Sequence, residues 1–513
     1  MDRRTLLQSA LAGLFAGALP RFVTPAAAQE ATPFDFETVV ARAREAAAEP
    51  FERQVLDLTE PFADLRYDRF RAIRFRDEER LFADGKGFQM DLMPPGFYYH
   101  DRVEVNLVRA GAARPLEFST DYFDFHTDYF PYPGGRAPAG LSEDASFSGL
   151  RFRYPINRPG VWDEVAVFQG ASYFRAVAHD TFYGLSARGL AIGTGGANVE
   201  EFPLFTAFWV HEPQPGDRSL RLAALLDSTS VAGAFDFTIT PGVETVMDIR
   251  SVLFPRVDIP EAGIAPLTSM YYFGPDRRTY VDDFRDAVHD SSGLRIVNGA
   301  GERIWRPLRN PAMVETSAFL DSNPRGFGLL QRPRDFTHFR DAEAHYEQRP
   351  SGWVEPVGDW GDGSVMLVEL PSTEEIMDNI IAFWRPGTPL AAGSEQQYAY
   401  RLTWCQEPAE PLPLAMVIAT RGGQAHLEER RPEKQLVVDF DLGMINFATI
   451  EPVLEASAGE VTGVGISPLP GGNIVRVGFH FLPGDIPSIE FRLHLQSEGQ
   501  VASEVWLYRW NAA

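Results

Sequence analysis

The sequence predicts an all-β protein, with a large N-terminal β-sandwich followed by a small C-terminal one. Three observations predict it. Short runs of β-branched and aromatic residues recur along the chain, as in A-V-F-Q-G-A-S-Y-F-R-A-V, S-L-R-L-A-A-L-L-D-S and S-V-M-L-V-E-L. The 44 Gly and 39 Pro are spread throughout and supply the turns such a chain needs. Near the C-terminus the alternation is strict. N-I-V-R-V-G-F-H-F sets Val475, Val477, Phe479 and Phe481 against Arg476, Gly478 and His480, and S-I-E-F-R-L-H-L-Q does the same with Ile489, Phe491, Leu493 and Leu495.

The elements follow in order. M-D-R-R-T-L-L-Q, with the Arg3–Arg4 pair, leads into an Ala/Leu/Gly-rich apolar stretch that ends at A-A-A-Q-E. Residues 1–28 therefore read as a signal peptide of twin-arginine character, and export to the periplasm is expected. The apolar stretch is short and Gly-rich for a membrane span, and no later stretch resembles one. D-F-E-T-V-V-A-R-A-R-E-A-A-A-E-P predicts a helix capped by Asp35, with Phe36, Val39, Val40, Ala43 and Ala47 at helical spacing and Pro50 as its stop. Strands dominate from there on. T-D-Y-F occurs twice, at 120–123 and 127–130, in a 119–147 segment that fits either an aromatic loop over a ligand or a packed surface loop. Residues 29–385 form the expected first domain and 386–394, rich in Pro, Gly and small residues, a linker. Residues 395–513 form a sandwich of immunoglobulin-like size, with Y-A-Y-R-L-T-W and E-V-W-L-Y-R-W among its strands.

The totals narrow the function. A chain of 513 residues has room for two or three domains, and its formal net charge of −24 repels phosphate backbones, so nucleic acid is excluded as a partner class. Cys405 is the sole cysteine, so no intramolecular disulfide forms, and its strand setting beside Trp404 suits an inert buried thiol. The chain has no H-E-x-x-H, no cysteine pair and no His cluster at metal-ligand spacing, and no metal or other cofactor is implied. G-T-G-G-A-N at 193–198 lacks the third glycine of a dinucleotide fingerprint, and there is no G-x-S-x-G elbow. Carboxylates, arginines and aromatics remain, which is the inventory of a sugar-binding or glycoside-cleaving site.

One stretch concentrates them. P-S-T-E-E-I-M-D-N-I-I-A-F-W, from Pro371 to Trp384, places Glu374, Glu375 and Asp378 ahead of an apolar run. Ser372 and Glu375 have the spacing of a capping box, which predicts one helical turn; alternatively one acid is a proton donor. Taken by itself, Asp378 reads as a solvated acid and Asp290, in H-D-S-S-G, as an Asx-turn residue. Arg188 and Arg306 read as buried ion-pair partners. Trp305, Trp353 and Trp360 fit core packing as well as sugar stacking.

Longer strings add to this reading. G-A-S-Y-F-R-A (170–176), Y-G-L-S-A-R-G-L-A-I (183–192), E-E-F-P-L-F-T-A-F-W (200–209), H-D-S-S-G-L (289–294), W-R-P-L-R-N-P (305–311), N-P-R-G-F-G-L-L-Q-R-P-R-D-F (323–336), R-P-S-G-W-V-E-P (349–356) and W-G-D-G-S-V (360–365) follow one another in order. Together they resemble the periplasmic glucan-biosynthesis family OpgG/OpgD (MdoG/MdoD), through most of the chain. The twin-arginine-like leader looks more like the D type. The resemblance implies a galactose-mutarotase-like supersandwich domain followed by an immunoglobulin-like one. It also implies a role in making osmoregulated periplasmic glucans with a β-1,2-linked glucose backbone.

By motif, the resemblance makes Asp378 of D-N-I the general acid and Asp290 of H-D-S the general base. Glu375, Tyr346 and Arg349 line the same cleft. Inverting endo-cleavage of β-1,2-glucan is one expected outcome. Cyclising transfer through an α-linkage is another, and glucan binding without chemistry, as partner of a membrane glucan synthase, is a third. For direct inverting attack the two carboxyls stand roughly 6.5–9.5 Å apart, while a base acting through a relay of water and sugar hydroxyls tolerates a longer gap. The 119–147 segment follows none of the family's strings.

Overall fold

The computed structural model describes residues 32–512, apart from 139, 142–143, 197–198, 276–281, 410–413, 426–432 and 471. The leader expected at 1–28 lies outside these residues. Among the described residues no helix is long and apolar enough to cross a membrane.

Two large sheets face each other. One has sixteen strands, and its middle is an antiparallel meander of Leu204–His211, Leu220–Asp227, Val231–Thr240 and Thr245–Pro255. It continues through Gln396–Cys405, Ser351–Val357, Gly326–Leu330, Gly293–Val297 and Arg303–Pro307. The other has ten strands and includes Gln89–Met93, Gly149–Tyr154, Asp163–Gln169, Tyr173–Ala176, Ser186–Arg188, Ala262–Ser269, Ile380–Pro386 and Asp362–Glu369.

Strand alternation gives the ten-stranded sheet two unlike faces. Leu150, Phe168, Phe174, Ala187, Leu267, Ala382 and Leu367 oppose one another from strand to strand and are all buried in the core between the sheets. Burying each large member contributes roughly 1.5–3 kcal/mol. One residue along, the row reads Asp91, Arg151, Val167 and Arg175, and Arg175 Nε then donates to Ser186 Oγ at 2.7 Å. That row faces away from the core, so the sheet carries a polar outer surface.

The helix Phe36–Ala48 forms as expected, and its N-cap Asp35 accepts from the Thr38 amide at 3.0 Å. Val39, Val40 and Ala43 bury against Trp209, Ala223, Ala234 and Val252, covering part of the sixteen-stranded sheet's outer face. The 119–147 segment is packed. Phe123, Phe125, Phe130 and Phe147 are buried in the main core, and Phe123–Phe125 pairs with Ile73–Phe75.

In the C-terminal region the four-stranded sheet Met416–Gln424, Lys434–Asp441, Ile474–Leu482 and Glu460–Pro468 encloses a second core with Ser488–Ser497 and Val505–Asn511. The expected alternation holds, with Val475, Val477, Phe479, Phe481, Ile489, Phe491, Leu493 and Leu495 all buried.

One strand assignment needs correction. Tyr398–Trp404, expected in the second sandwich, lies in Gln396–Cys405 within the first, between Thr245–Pro255 and Ser351–Val357. The Pro/Gly-rich stretch before it joins the ten-stranded sheet to the sixteen-stranded one. Leu390 bridges to Ile259, and the Gly393 amide donates to the Pro255 carbonyl at 2.8 Å. Val505–Asn511 runs parallel to Arg303–Pro307, with Ile304 opposite Val505 and Trp305 opposite Trp506, so the large sheet runs on into the second sandwich.

Candidate active site

Asp378 lies on the connection between Asp362–Glu369 and Ile380–Pro386, at the edge of the polar face. No helix forms at 371–379, so the capping-box expectation is overturned. Ser372 makes a local turn instead: its Oγ donates to the Glu374 carbonyl at 2.7 Å and accepts from the Glu374 amide at 3.3 Å. The reason lies in the next residues. Ile380 and Ile381 already belong to a strand, which leaves too few residues for a stable helix. Glu374 is exposed.

Asn379 holds this connection in place. Its side-chain oxygen accepts from the Tyr271 amide at 2.8 Å, and its Nδ2 donates to the carbonyls of Tyr271 at 3.0 Å and Leu370 at 2.9 Å. Its backbone carbonyl accepts from the Leu370 amide. The completely buried Asn379 side chain thus supplies pairing that a bare loop lacks, and fixes Asp378 beside it.

Asp290 enters from the other side, just after the short strand Val288–His289, and its amide donates to the Met270 carbonyl at 2.9 Å. Gln331 locks this segment. Its Nε2 donates to the carbonyls of His289 at 2.7 Å and Tyr346 at 3.1 Å, tying Asp290's segment to the turn that carries Tyr346. Its Oε1 is then the acceptor for His289 Nδ1 at 2.9 Å, which assigns that nitrogen the proton. Burial, aided by His338, pushes the His289 ring down to about 3, so it stays neutral and serves as structure.

All five residues proposed from sequence converge here. Arg349 Nε lies 3.4 Å from Asp290 Oδ1, and its other nitrogens donate to the carbonyls of Tyr183 and Ala344. Gly184 makes room for it, since a Cβ there would meet Arg349 Cβ at 3.1 Å. Tyr346 donates to Glu375 Oε2 at 3.4 Å, and Arg285 Nη2 reaches the same oxygen at 2.7 Å. Arg285 also binds Asp283 and Asp341, which joins three segments of the site. Asp378 Oδ2 lies 3.6 Å from Arg175 Nη2.

The two aspartates are electrostatically unusual. Asp290 is 14% exposed, and its Oδ1 is buried with no hydrogen-bond donor among the described residues, unlike an Asx-turn acceptor. Burial lifts its carboxyl to about 6; Arg349 and Arg175 oppose the rise, while Asp378 and Glu375 add to it. Burial also raises Asp378, against the pull of Arg175 and then Arg188. A carboxyl poised near neutrality is what proton transfer requires.

Beside Arg175 opens a cavity of about 490 Å³, lined among others by Tyr98, Tyr99, Gln169, Tyr173 and Tyr183. Tyr183 brings a hydroxyl that is buried and without a partner among the described residues. The volume falls within the usual range for small-ligand sites. Sequence reasoning did not single out Arg175, Asn379, Gln331, Arg285 or these tyrosines, although Tyr173, Arg175, Tyr183, Gln331 and Asn379 lie inside the strings given above.

Other candidates are structural. Arg188 is buried between Glu200 Oε1 at 2.5 Å and Thr268 Oγ1 at 2.9 Å, and Arg306 pairs with buried Glu369 at 3.3 Å. Trp305, Trp353 and Trp360 are all buried, the first two beneath Arg332 and Arg295. Burial raises the Cys405 thiol and keeps it inert. Among the described residues no group of three or more His, Cys, Asp or Glu could hold a metal ion.

An all-β body of stacked sheets, with acids and arginines gathered on one polar face, defines the class at the level of architecture: an all-β sandwich protein. The chain belongs to the family described as periplasmic glucan biosynthesis protein MdoG, whose pattern it matches over residues 34–510. It is 45% identical over 481 residues to a glucans biosynthesis protein G of Vibrio cholerae serotype O1 (strain ATCC 39541), covering 93% of this chain and 87% of that one. Glucans biosynthesis protein G of Shewanella frigidimarina is 44% identical, covering 93% and 84%, and that of Rhodopseudomonas palustris (strain BisA53) is 43% identical, covering 99% and 100%. These relatives carry the G name, which corrects the D-type expectation drawn from the leader.

Proposed function

We propose that this chain is a periplasmic enzyme that cleaves β-1,2-linked glucan with inversion, with Asp378 as general acid and Asp290 as general base. The observation that carries the proposal is the pairing of two carboxyls from separate segments. Each is raised by burial, each is faced by an arginine, and they are close enough that charge on Asp378 raises Asp290. Glucan in the cleft meets Asp378 on its glycosidic oxygen. Asp290 takes a proton, directly or through a hydroxyl relay, from the nucleophile on the opposite face. Glu375, Tyr346 and Arg349 hold sugar hydroxyls and the two acids in register. The tyrosine-lined cavity accommodates further glucose units, whose apolar faces stack on the rings.

Cyclising transfer is the second reading, and the family's association with glucan biosynthesis favours it. There, a hydroxyl from the glucan's own end replaces water at the position Asp290 activates. Incubating the purified protein and its Asp378→Asn variant with linear β-1,2-glucan, and weighing the products, decides the matter. Shorter linear chains mark hydrolysis, and products one water lighter than linear chains mark ring closure. Glucan that both proteins bind and neither changes would overturn the enzymatic reading and leave a binding partner of a membrane synthase.

A further inference from the structure

We propose that Arg175 is a positioning residue shared by both carboxyls, a cation anchored on the sheet that sets the pH range over which Asp378 and Asp290 work as a pair. The inference rests on the proposed cleavage chemistry and deepens it.

Arg175 stands on Tyr173–Ala176, in the polar row of the ten-stranded sheet. Its Nε donates to Ser186 Oγ at 2.7 Å, which anchors the planar guanidinium from below with its Nη edge toward Asp378. One Nη lies 3.6 Å from Asp378 Oδ2, an ion-pair distance too long for a good hydrogen bond. The side chain is 42% exposed and lines the cavity together with Tyr173 and Tyr183. A residue held at one end, loosely paired at the other and open to the cavity is placed to act on the acid electrostatically while the groove fills.

The surrounding charges divide unequally between the two aspartates. Asp378 is faced by Arg175 and by Arg188 of Ser186–Arg188, whose charge is already matched by Glu200. Asp290 is faced by Arg349 from the Tyr346 turn, by Arg175, and by the carboxylates of Asp378 and Glu375. Arg349 therefore addresses the base, Arg188 addresses the acid from a neutralised pair, and Arg175 addresses both.

The sign follows. A nearby cation favours the ionised carboxylate, so its removal raises both groups. The base must be ionised, so the acid limb of the pH–rate profile moves up. The acid must be protonated, so the alkaline limb moves up as well. Arg175→Met is expected to shift the whole profile to higher pH by roughly half a unit to one unit. Arg349→Met moves the acid limb alone, and Arg175→Lys restores the wild-type profile.

The experiment records pH–rate profiles on linear β-1,2-glucan for the wild type and these three variants. In parallel, carbodiimide labelling of Asp290 and Asp378 is followed against pH by peptide mass mapping, which reads protonation without any turnover. The expected result is an upward move of both labelling midpoints in Arg175→Met and of the Asp290 midpoint alone in Arg349→Met. Unmoved midpoints in a folded Arg175→Met protein, or a move at Asp378 only, would overturn the inference. Both midpoints moving in a protein that leaves glucan intact would uphold it while refuting the cleavage reading.

Discussion

At the joint between the two sandwiches, Glu504 is almost fully buried and completely satisfied. Arg332 donates to both its oxygens, at 2.7 and 2.8 Å, and the Val417 amide adds a third bond at 3.0 Å. Burial alone would raise this carboxyl, but Arg332, aided by Arg295 and the amide, brings it below the usual range. At the cleft, Asp290 is 14% exposed and also faces an arginine, yet its Oδ1 is buried with no donor among the described residues and its carboxyl rises to about 6. Burial and an arginine are common to both places. What separates the lowered carboxyl from the raised one is whether the carboxylate's hydrogen bonds are made.

The largest effect is expected from Asp378→Asn, which lowers the cleavage rate by about 10²–10⁴-fold. If Asp378 is the proton donor, a substrate with an activated leaving group restores much of that loss, and it does not rescue Asp290→Asn. Next is Glu504→Ala, which strands Arg332 in the interior and destabilises the fold by ~3–5 kcal/mol in denaturant titrations.

Asp290→Asn is expected to do the reverse, abolishing turnover while stabilising the protein at pH 7 by roughly 1–3 kcal/mol. The sign comes from linkage. Asp290's folded value lies above the ordinary carboxylate value, so the fold is at its best while the group is protonated and loses stability as pH rises through about 6. The neutral variant escapes that loss, so the two melting curves converge below about pH 4. Asn379→Ala removes three hydrogen bonds and costs ~1–3 kcal/mol, with a fall in kcat larger than any rise in KM as Asp378 loses its support. The smallest effect is in the acid limb, expected near pH 6. Glu375→Gln removes one of the charges that lift Asp290 and moves that limb slightly lower.

How far all this was legible in the sequence depends on the range of the interaction involved. The second core was readable because Val475 to Phe481 and Ile489 to Leu495 alternate with period two, and alternation is local. The cap at Asp35 was readable for the same reason. The capping box at Ser372 was not, because the following strand and the Asn379 clamp, both set by tertiary pairing, override a four-residue signal. Gln396–Cys405 was misplaced because a Pro/Gly-rich crossover looks like a linker. Asp290 and Asp378 were proposed through the motifs that carry the family resemblance, whereas their environment brings Arg175, Arg285 and Gln331 together from separate segments, a juxtaposition that carries no local pattern.

The parallel pairing of Ile304 with Val505 and of Trp305 with Trp506 has a mechanical consequence. A sheet shared between two sandwiches is a girder rather than a hinge, because swinging one body against the other would shear a row of backbone bonds. Under the proposed function, admitting a long glucan and releasing it falls to the connections that rim the groove, such as the one bearing Ile376 and Met377, both exposed. The frame beneath them would keep its shape throughout.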